Sequence, residues 1–202
     1  MSVKHDVISK GVNVKNAIIP TDSGDIIPAV EVLSNVNLEI TQTGKEYRLK
    51  EALSSVQNNY DFIIIDTAPA LGLLTINAFV ASDYLLIPTL ADIYSLSSIG
   101  QLYTTYQAVV RYCNNNLKIA GILLTRHNDR MILSRDIANM IQETSQEIGT
   151  KLFSQVIREG VAIREAQAVH QDIFAYAPKS NPAQDYKLFL NEFMATIKEE
   201  KK

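Results

Sequence analysis

The most suggestive chemical group in the chain is the carboxylate of Asp66, which directly follows the apolar run FIII at residues 62–65. An uninterrupted apolar run of this length is typical of a strand that is buried on both faces of a sheet. In open α/β sheets, ligands bind outside the carboxyl ends of the strands. Because hard cations prefer oxygen ligands, an aspartate there can hold Mg²⁺ directly or through water. The alternative is structural, since aspartate after a strand also starts turns and caps helices.

The elements that must position Asp66 are short apolar runs that alternate with longer segments of helical periodicity. Strands are predicted at 62–65, 84–87 (ended by Pro88), 117–124, 152–157 and, more weakly, 26–27. Helices are predicted at about 45–57, 74–81, 96–114, 132–148 and 182–198. Strands separated by helices of this length require crossover connections, which produce parallel pairing. The predicted fold class is therefore α/β, with a mostly parallel sheet and helices on both faces.

The composition is that of an ordinary globular protein, and it restricts the classes of partner. The chain has 202 residues, of which 47% are hydrophobic and 20% charged, and this predicts one domain over residues 1–202. With a net charge of −3, any nucleic-acid binding must depend on a local basic patch. The single cysteine, Cys113, excludes an internal disulfide. Without a signal-peptide core or an apolar run of about 20 residues, we predict a cytoplasmic protein that does not enter membranes.

The eight glycines of the chain form no phosphate-binding loop. None of the eight glycines belongs to a Gly-x-x-x-x-Gly-Lys-Ser/Thr pattern, and the one Gly-Lys pair, Gly44-Lys45, follows no predicted strand. In that pattern, backbone N–H groups point at the phosphates and the lysine neutralises their charge. Phosphoryl transfer depends on this kind of positioning and charge neutralisation. We therefore predict negligible ATP turnover by this chain alone.

A long stretch around Asp66 resembles the Walker B and switch II segments of ParA/Soj partition ATPases, which belong to the MinD/ParA superfamily. The stretch reads YDFIIIDTAPALGLLTINA over residues 60–78. Further matches occur in the family's order and with the same spacing. One, EYRLK (46–50), precedes this stretch, and the others follow it at GILLT (121–125), VIREGVAIREA (156–166) and YAPKS (176–180). Because the similarity covers nearly the whole chain, the sequence is identified as a member of this family.

This resemblance implies a role in plasmid or chromosome partition. Family members bind ATP and Mg²⁺ as a sandwich dimer, coat DNA without reading its sequence, and hydrolyse ATP when a ParB-like adaptor stimulates them. Their P-loop NTPase-like fold opens with a deviant Walker A loop, Lys-Gly-Gly-x-Gly-Lys-Thr. The first residues of this chain resemble the region after that loop, so we expect an N-terminally truncated version of the fold. The implied partners are DNA (bound nonspecifically), a ParB-like adaptor, and either a second copy of the chain or a full-length ParA. The implied location is the nucleoid within the cytoplasm.

The resemblance also assigns roles to individual residues. Asp66 matches the catalytic and metal-binding carboxylate, and nucleotide-contacting positions fall on Thr67, Pro69, Thr125, Ile157 and Arg158. DNA-binding positions fall on Arg130 and, less directly, Arg164, because a second basic position of the relatives falls on Ala162 here. Relatives often read Ile-Pro-Arg-Asn where this chain has IREG at 157–160. The alternative for the arginines is a solvated or ion-paired surface, and it applies to Arg126, Arg130, Arg135, Arg158 and Arg164.

Two other hypotheses about function stay open. In the first, the chain is a non-catalytic module whose partner is DNA or a full-length ParA. In the second, it is a truncated gene product with no function of its own.

Loss of a neighbouring strand would leave residues 63–65 as an exposed apolar edge. The apolar stripe of the last predicted helix either covers the sheet or lies on a membrane, as in MinD-type relatives. The mixed charges that follow the stripe favour the sheet.

Overall fold

The computed structural model describes residues 13–28, 43–128 and 132–200, with the backbone alone at 132, 133 and 200. The chain divides into two compact units. Unit 1 contains the described residues up to Asp83 together with Thr104–Leu117, and unit 2 contains Tyr84–Tyr103 and the described residues from Lys118 onward. The single domain over residues 1–202 stays a prediction.

The helices agree closely with the predicted ones. They are α1 (Arg48–Ser54), α2 (Leu73–Ala81), α3 (Ile93–Tyr112), α4 (Ile132–Glu147), α5 (Val161–Ala168), α6 (Ile173–Tyr176) and α7 (Asn181–Glu200), with 3-10 turns at Val14–Asn16, Lys45–Tyr47 and Gln57–Asn59. All five predicted helices are confirmed, although the first is divided between α1 and the turns on either side of it. Helices α5 and α6 were not predicted, because eight and four residues are too short to show a clear period.

Two parallel strands, β1 (Tyr84–Thr89) and β2 (Lys118–Leu124), form the regular sheet of unit 2. Their register shifts by one residue, since Leu85 pairs with Ile119 but Leu86 pairs with Gly121. Gly121 has φ +153°, and a Cβ there would lie 2.5 Å from the ring of Phe153. Only glycine accommodates both the backbone conformation and this close approach.

Strand β1 continues through Pro88, which corrects the prediction that proline ends it. The backbone amide of Thr125 donates to the carbonyl of Thr89, so Thr89 faces β2. In a strand, adjacent residues point their backbone groups to opposite sides. The missing N–H of Pro88 therefore lies on the side away from β2, where the β1–β2 ladder loses nothing.

A third segment, residues 151–159, lies parallel to β2 on its other side. Two bridges define the pairing, Ile122 with Leu152 and His127 with Arg158. Between them, the Phe153 amide donates to Ile122 at 2.9 Å and the Ile157 amide donates to Leu124 at 2.9 Å. The predicted strand at 152–157 is thus present as two separate bridges and not as a continuous strand. The parallel arrangement extends beyond β1 and β2.

Side chains on the two faces of this sheet enter different apolar clusters. Alternate residues of β2 face opposite ways, so Ile122 and Leu124 pack in a cluster with Ile87 of β1 and residues of α3 and α4. Leu123 instead packs with Phe153, Ile157 and Phe189 of α7. Helices therefore cover both faces, and the predicted α/β class with a parallel sheet is confirmed.

Unit 1 has its own core and two buried asparagines that organise it. Val14, Ala17, Leu53 and Val56 form the apolar centre. Asn77 is fully buried, donates to the Lys45 and Leu73 carbonyls, and accepts from the Leu49 amide. Asn114 donates to the carbonyls at the end of α2, at Phe79, Val80 and Ser82. The Asn114 contacts and the contact of Asn77 with the Leu49 amide thus satisfy backbone groups that have no partner within their own helix.

Two predicted strands of unit 1 are wrong. Residues 26–27 form no strand, and Ile26 makes an isolated antiparallel bridge with Ile19. Residues 62–65 are neither strand nor helix. Among residues 13–28, 43–128 and 132–200, no backbone hydrogen bond joins this segment to another. A strand exists only with a neighbour that satisfies its N–H and C=O groups, which apolar composition does not supply.

Candidate functional site

The segment around Asp66 presents its side chains to solvent. Ile64 is 92% exposed, and Phe62 and Ile63 are exposed as well, whereas Ile65 packs against the unit 1 core. Asp66 is exposed, and its carboxylate makes no ion pair or hydrogen bond to any other residue that the structure describes. Ile63 and Ile64 are thus exposed as expected, but in an irregular segment and not at the edge of a strand.

The residues after Asp66 form a turn that leads into α2. Thr67 and Pro69 are exposed, and the first fixed contacts come at Ala70, whose carbonyl accepts from the Gly72 amide and the Thr75 hydroxyl. Thr75 is 2% exposed. Residues 67–75, which match the switch II segment of the family, therefore begin at solvent-exposed residues and end anchored to the first turn of α2.

Thr125 lies at the carboxyl end of β2, as predicted. Its amide and its hydroxyl both donate to the carbonyl of Thr89, at 2.8 and 3.1 Å. The side chain is therefore turned toward the end of β1. This double contact ties the carboxyl ends of the two strands together.

Ile157 contributes to the apolar core and not to a surface. It is 1% exposed and packs with Leu123, Phe153 and Phe189. Its amide donates to Leu124 and its carbonyl accepts from the His127 amide, so its backbone is also paired. Ile157 fixes the position of the residues that follow it.

Arg158 makes an ion pair with Asp185, a residue that the sequence analysis did not single out. The Arg158 backbone amide, Nε and Nη2 donate to the Asp185 carboxylate at 3.0, 2.9 and 2.6 Å. The Asp185 side chain is only 3% exposed. Burial by itself would raise its pKa, but the Arg158 hydrogen bonds and charge outweigh burial and hold the pKa of Asp185 below its ordinary value.

Arg126 and Arg164 both approach Glu159. The Arg126 guanidinium lies 3.3 Å from the Glu159 carboxylate, and the Arg164 guanidinium lies 4.0 Å from the same oxygen. Arg126, Arg158 and Arg164 thus each have a carboxylate partner. Arg135 is exposed on α4, and Arg130 lies outside the described residues.

The structure places the predicted site residues in both units. Thr125, Ile157, Arg158 and Arg164 belong to unit 2, where the pairing of residues 151–159 with β2 brings the first three together. Asp66, Thr67 and Pro69 belong to unit 1. The sequence offered no signal for Asp185, since an aspartate in the first turns of a helix ordinarily faces solvent.

The residues around Asp66 fit part of a magnesium site and no part of a triphosphate site. The exposed carboxylate has two oxygens that can bind a cation or its water. Within the described part of the chain, His, Cys, Asp and Glu form no group of three or more that could hold a metal ion. A glycine-rich phosphate loop with its lysine is missing from the 202-residue sequence. The described residues around Asp66 thus supply one carboxylate ligand for a cation.

Comparison with known proteins identifies the family. A model described as AAA domain matches residues 2–119. The chain is 39% identical to the sporulation initiation inhibitor protein Soj of Bacillus subtilis over 80% of its own length and 63% of that protein. It is 31% identical to the chromosome partitioning protein ParA of Caulobacter vibrioides, over 95% of the chain and 72% of the relative. The chain belongs to the ParA/Soj family. The chain matches about three-fifths of the length of Soj.

Comparison with solved structures supports the predicted fold. Cobyrinic acid a,c-diamide synthase from Mycobacterium smegmatis, with bound ADP and magnesium, matches with 26% identity and a TM-score of 0.76, over 93% of this ParA/Soj chain and 69% of that one. The fold is thus P-loop NTPase-like, as the resemblance implied. Among the described residues, every helix is too short or too polar to cross a membrane.

Proposed function

We propose that this chain acts in plasmid or chromosome partition as a ParA-type protein that binds DNA without reading its sequence. The observation that carries the proposal is the exposed carboxylate of Asp66, within a switch-like stretch of a chain that is 39% identical to Soj. The proposal includes ATP-dependent dimerisation with a second copy or a full-length ParA, stimulation by a ParB-like adaptor, and a location in the cytoplasm on the nucleoid.

Each proposed role rests on a residue of this chain. Asp66 would organise Mg²⁺ and the attacking water, and residues 67–75 would couple the nucleotide state to the partner surface, because their end is anchored on α2. Thr125 and the loop that begins at Ile157 and Arg158 would lie beside the nucleotide base. Arg130 and Arg164 would contact DNA phosphates, which gives salt-sensitive binding without sequence preference.

Hydrolysis requires parts that this sequence does not contain. Bound ATP and Mg²⁺ supply the phosphoryl group and the charge that polarises it, and the residues of this chain would orient water and close the pocket. Without a phosphate loop and its lysine, the triphosphate is neither positioned nor neutralised. We therefore expect no turnover unless another chain supplies that loop.

The proposal is tested by thermal unfolding of the 202-residue chain with and without Mg-ATP. A ligand bound only by the native state at 100 times its dissociation constant adds about 2.7 kcal/mol, which shifts the midpoint measurably. The control is Asp66→Ala, which is expected to unfold like the parent in buffer. A shift that depends on magnesium and disappears in Asp66→Ala supports a nucleotide site built on Asp66. A shift that survives this substitution contradicts the role of Asp66.

A second candidate function is a non-catalytic module that binds DNA or a full-length ParA. The missing phosphate loop favours it, as does the engagement of the Arg158 guanidinium by Asp185. A cooperative transition that Mg-ATP does not move, together with retention on nonspecific DNA, would identify this module. The absence of any cooperative transition would show that these 202 residues do not fold by themselves.

A further inference from the structure

Three charged side chains of unit 2 form a compact surface cluster, Arg126, Glu159 and Arg164. One oxygen of Glu159 lies 3.3 Å from Nη2 of Arg126 and 4.0 Å from Nη2 of Arg164. The exposed fractions of the side chains are 66% for Arg126, 45% for Glu159 and 71% for Arg164. Two cations that are open to solvent therefore converge on a single carboxylate, and the cluster has a net charge of +1.

The backbone holds the first two members of the cluster in place. Regular parallel pairing would let the residue-126 amide bond to the Ile157 carbonyl, but the His127 amide makes that bond at 3.0 Å. Arg126 is thus an extra residue in the ladder, and its φ of 50° lies in the left-handed region. Such an insertion redirects a side chain. Glu159 is fixed beside it, because its amide donates to the His127 carbonyl at 3.3 Å.

Two guanidinium groups around one oxygen are an arrangement that also suits a phosphate. Guanidinium groups bind phosphate and carboxylate with the same planar donors. The carboxylate of Glu159 therefore stands where a phosphate oxygen of a ligand would bind. An exposed ion pair of this kind is weak, so a polyanion can displace the carboxylate, but the carboxylate still lowers the positive potential that attracts it.

We infer that Glu159 is an internal competitor for DNA phosphate at Arg126 and Arg164, and that it keeps the nonspecific DNA affinity of this surface low. The inference rests on the proposed DNA binding and adds two residues to it. Arg126 becomes a DNA-contacting residue, and Glu159 sets the affinity and its salt dependence. Each additional phosphate contact makes the slope of log K against log salt more negative by about 0.9.

The inference is tested with Glu159→Gln in the full chain, by fluorescence anisotropy on a short mixed-sequence duplex at several salt concentrations, with and without Mg-ATP. The matched control is Glu143→Gln, which makes the same charge change at an exposed position of α4. Relative to this control, we expect Glu159→Gln to bind roughly 3- to 10-fold more tightly, with a slope more negative by about 1. Arg126→Ala and Arg164→Ala should each weaken binding and make the slope less negative by about 1.

A double variant separates competition from a general charge effect. If Glu159 acts through Arg126, adding Arg126→Ala to Glu159→Gln should remove the part of the gain that Arg126 supplies and leave the part that Arg164 supplies, whereas the same addition to Glu143→Gln should only subtract the effect of Arg126. Unchanged unfolding midpoints would show that the variants are folded. A gain that persists fully in the double variant would overturn the assignment of Arg126.

The outcomes distinguish this inference from the proposed function. If the parent binds DNA and Glu159→Gln binds no more tightly than Glu143→Gln, the inference is overturned and the proposed DNA binding stands. If no variant binds DNA under any condition, both are overturned. If Glu159→Gln tightens the binding of Mg-ATP and not of DNA, the ligand of the cluster is a nucleotide and the DNA assignment is wrong.

Discussion

Residues 61–69 of unit 1 and residues 151–159 of unit 2 both contain several apolar side chains ahead of a charged residue, but these side chains have opposite environments. In the first segment, Phe62, Ile63 and Ile64 are exposed. In the second, Phe153 and Ile157 are each 1% exposed. The second segment runs beside β2, which accepts and donates its backbone hydrogen bonds. The difference teaches that an apolar run is buried only where a neighbouring strand and a covering helix are available.

Helix α7 completes the environment of residues 151–159 with polar contacts. The Glu192 carboxylate accepts from the Ser154 and Gln155 amides at 2.9 and 3.0 Å, and Asp185 accepts from the Arg158 amide. These carboxylates satisfy backbone groups that β2 does not reach, so the outer edge of the segment is closed. No comparable contact to residues 61–69 occurs within the part of the chain that the structure describes.

The largest expected difference between the two segments is in the cost of removing a phenylalanine. Phe153→Ala should lower the free energy of unfolding by about 3–5 kcal/mol, because it empties a packed site next to Phe189 and Phe193. Phe62→Ala, at a side chain that is 52% exposed, should cost less than about 1 kcal/mol. Urea unfolding of both variants measures this, and equal costs would show that residues 61–69 are buried in solution.

A smaller difference is expected for the two aspartates. Asp185→Asn leaves the Arg158 guanidinium without its counter-charge and weakens the acceptor of its amide, so we expect a loss of about 2–3 kcal/mol. Asp66→Asn makes the same chemical change at an exposed residue and should alter the free energy of unfolding by less than about 0.5 kcal/mol. A loss at Asp66 as large as at Asp185 would reveal a partner for Asp66.

The smallest expected effect is a pH dependence of the free energy of unfolding, which arises from the two carboxylates that contact residues 151–159. The folded state lowers the pKa of Asp185 and also that of Glu192, where the Ser154 and Gln155 amides and Lys151 outweigh burial. A lowered carboxyl pKa stabilises the fold above the unfolded-state value of about 4, and this stabilisation is lost as the pH falls through the folded-state value. Each unit of pKa depression is worth about 1.4 kcal/mol.

The check is the urea midpoint of the parent, Asp185→Asn and Glu192→Gln between about pH 6 and pH 2. Each variant should lose stability less steeply on acidification than the parent does, because it has one fewer carboxylate to protonate. Parallel curves for all three proteins would contradict the contribution of these carboxylates.

The helices were the most predictable part of the structure. α3 and α4 have long apolar stripes with a helical period, and such stripes depend only on residues close together in sequence. The position of Thr125 at a strand end was predictable for the same reason, because the apolar run 117–124 ends there. Local sequence could not show that residues 62–65 do not form a strand. Their run is as apolar as β2, and it differs from β2 only in having no paired neighbour among the described residues.

The contacts of the arginines were not predictable in detail. Arg158 and Asp185 are 27 residues apart, and nothing in their local sequence indicates that they meet. Glu159 could be noticed as a departure from the family pattern, but its two arginine neighbours depend on an extra residue in the ladder at Arg126.

The amino-acid sequence by itself determined the family, the α/β class, the main helices and the missing phosphate-loop motif, because these depend on local periodicity and on residue identity. The tertiary structure alone decided which apolar run is paired, which asparagines and carboxylates satisfy buried backbone groups, and which charge neutralises each arginine. The physical reason is that hydrogen bonds and ion pairs need partners at about 3 Å, and folding brings those partners from distant parts of the chain.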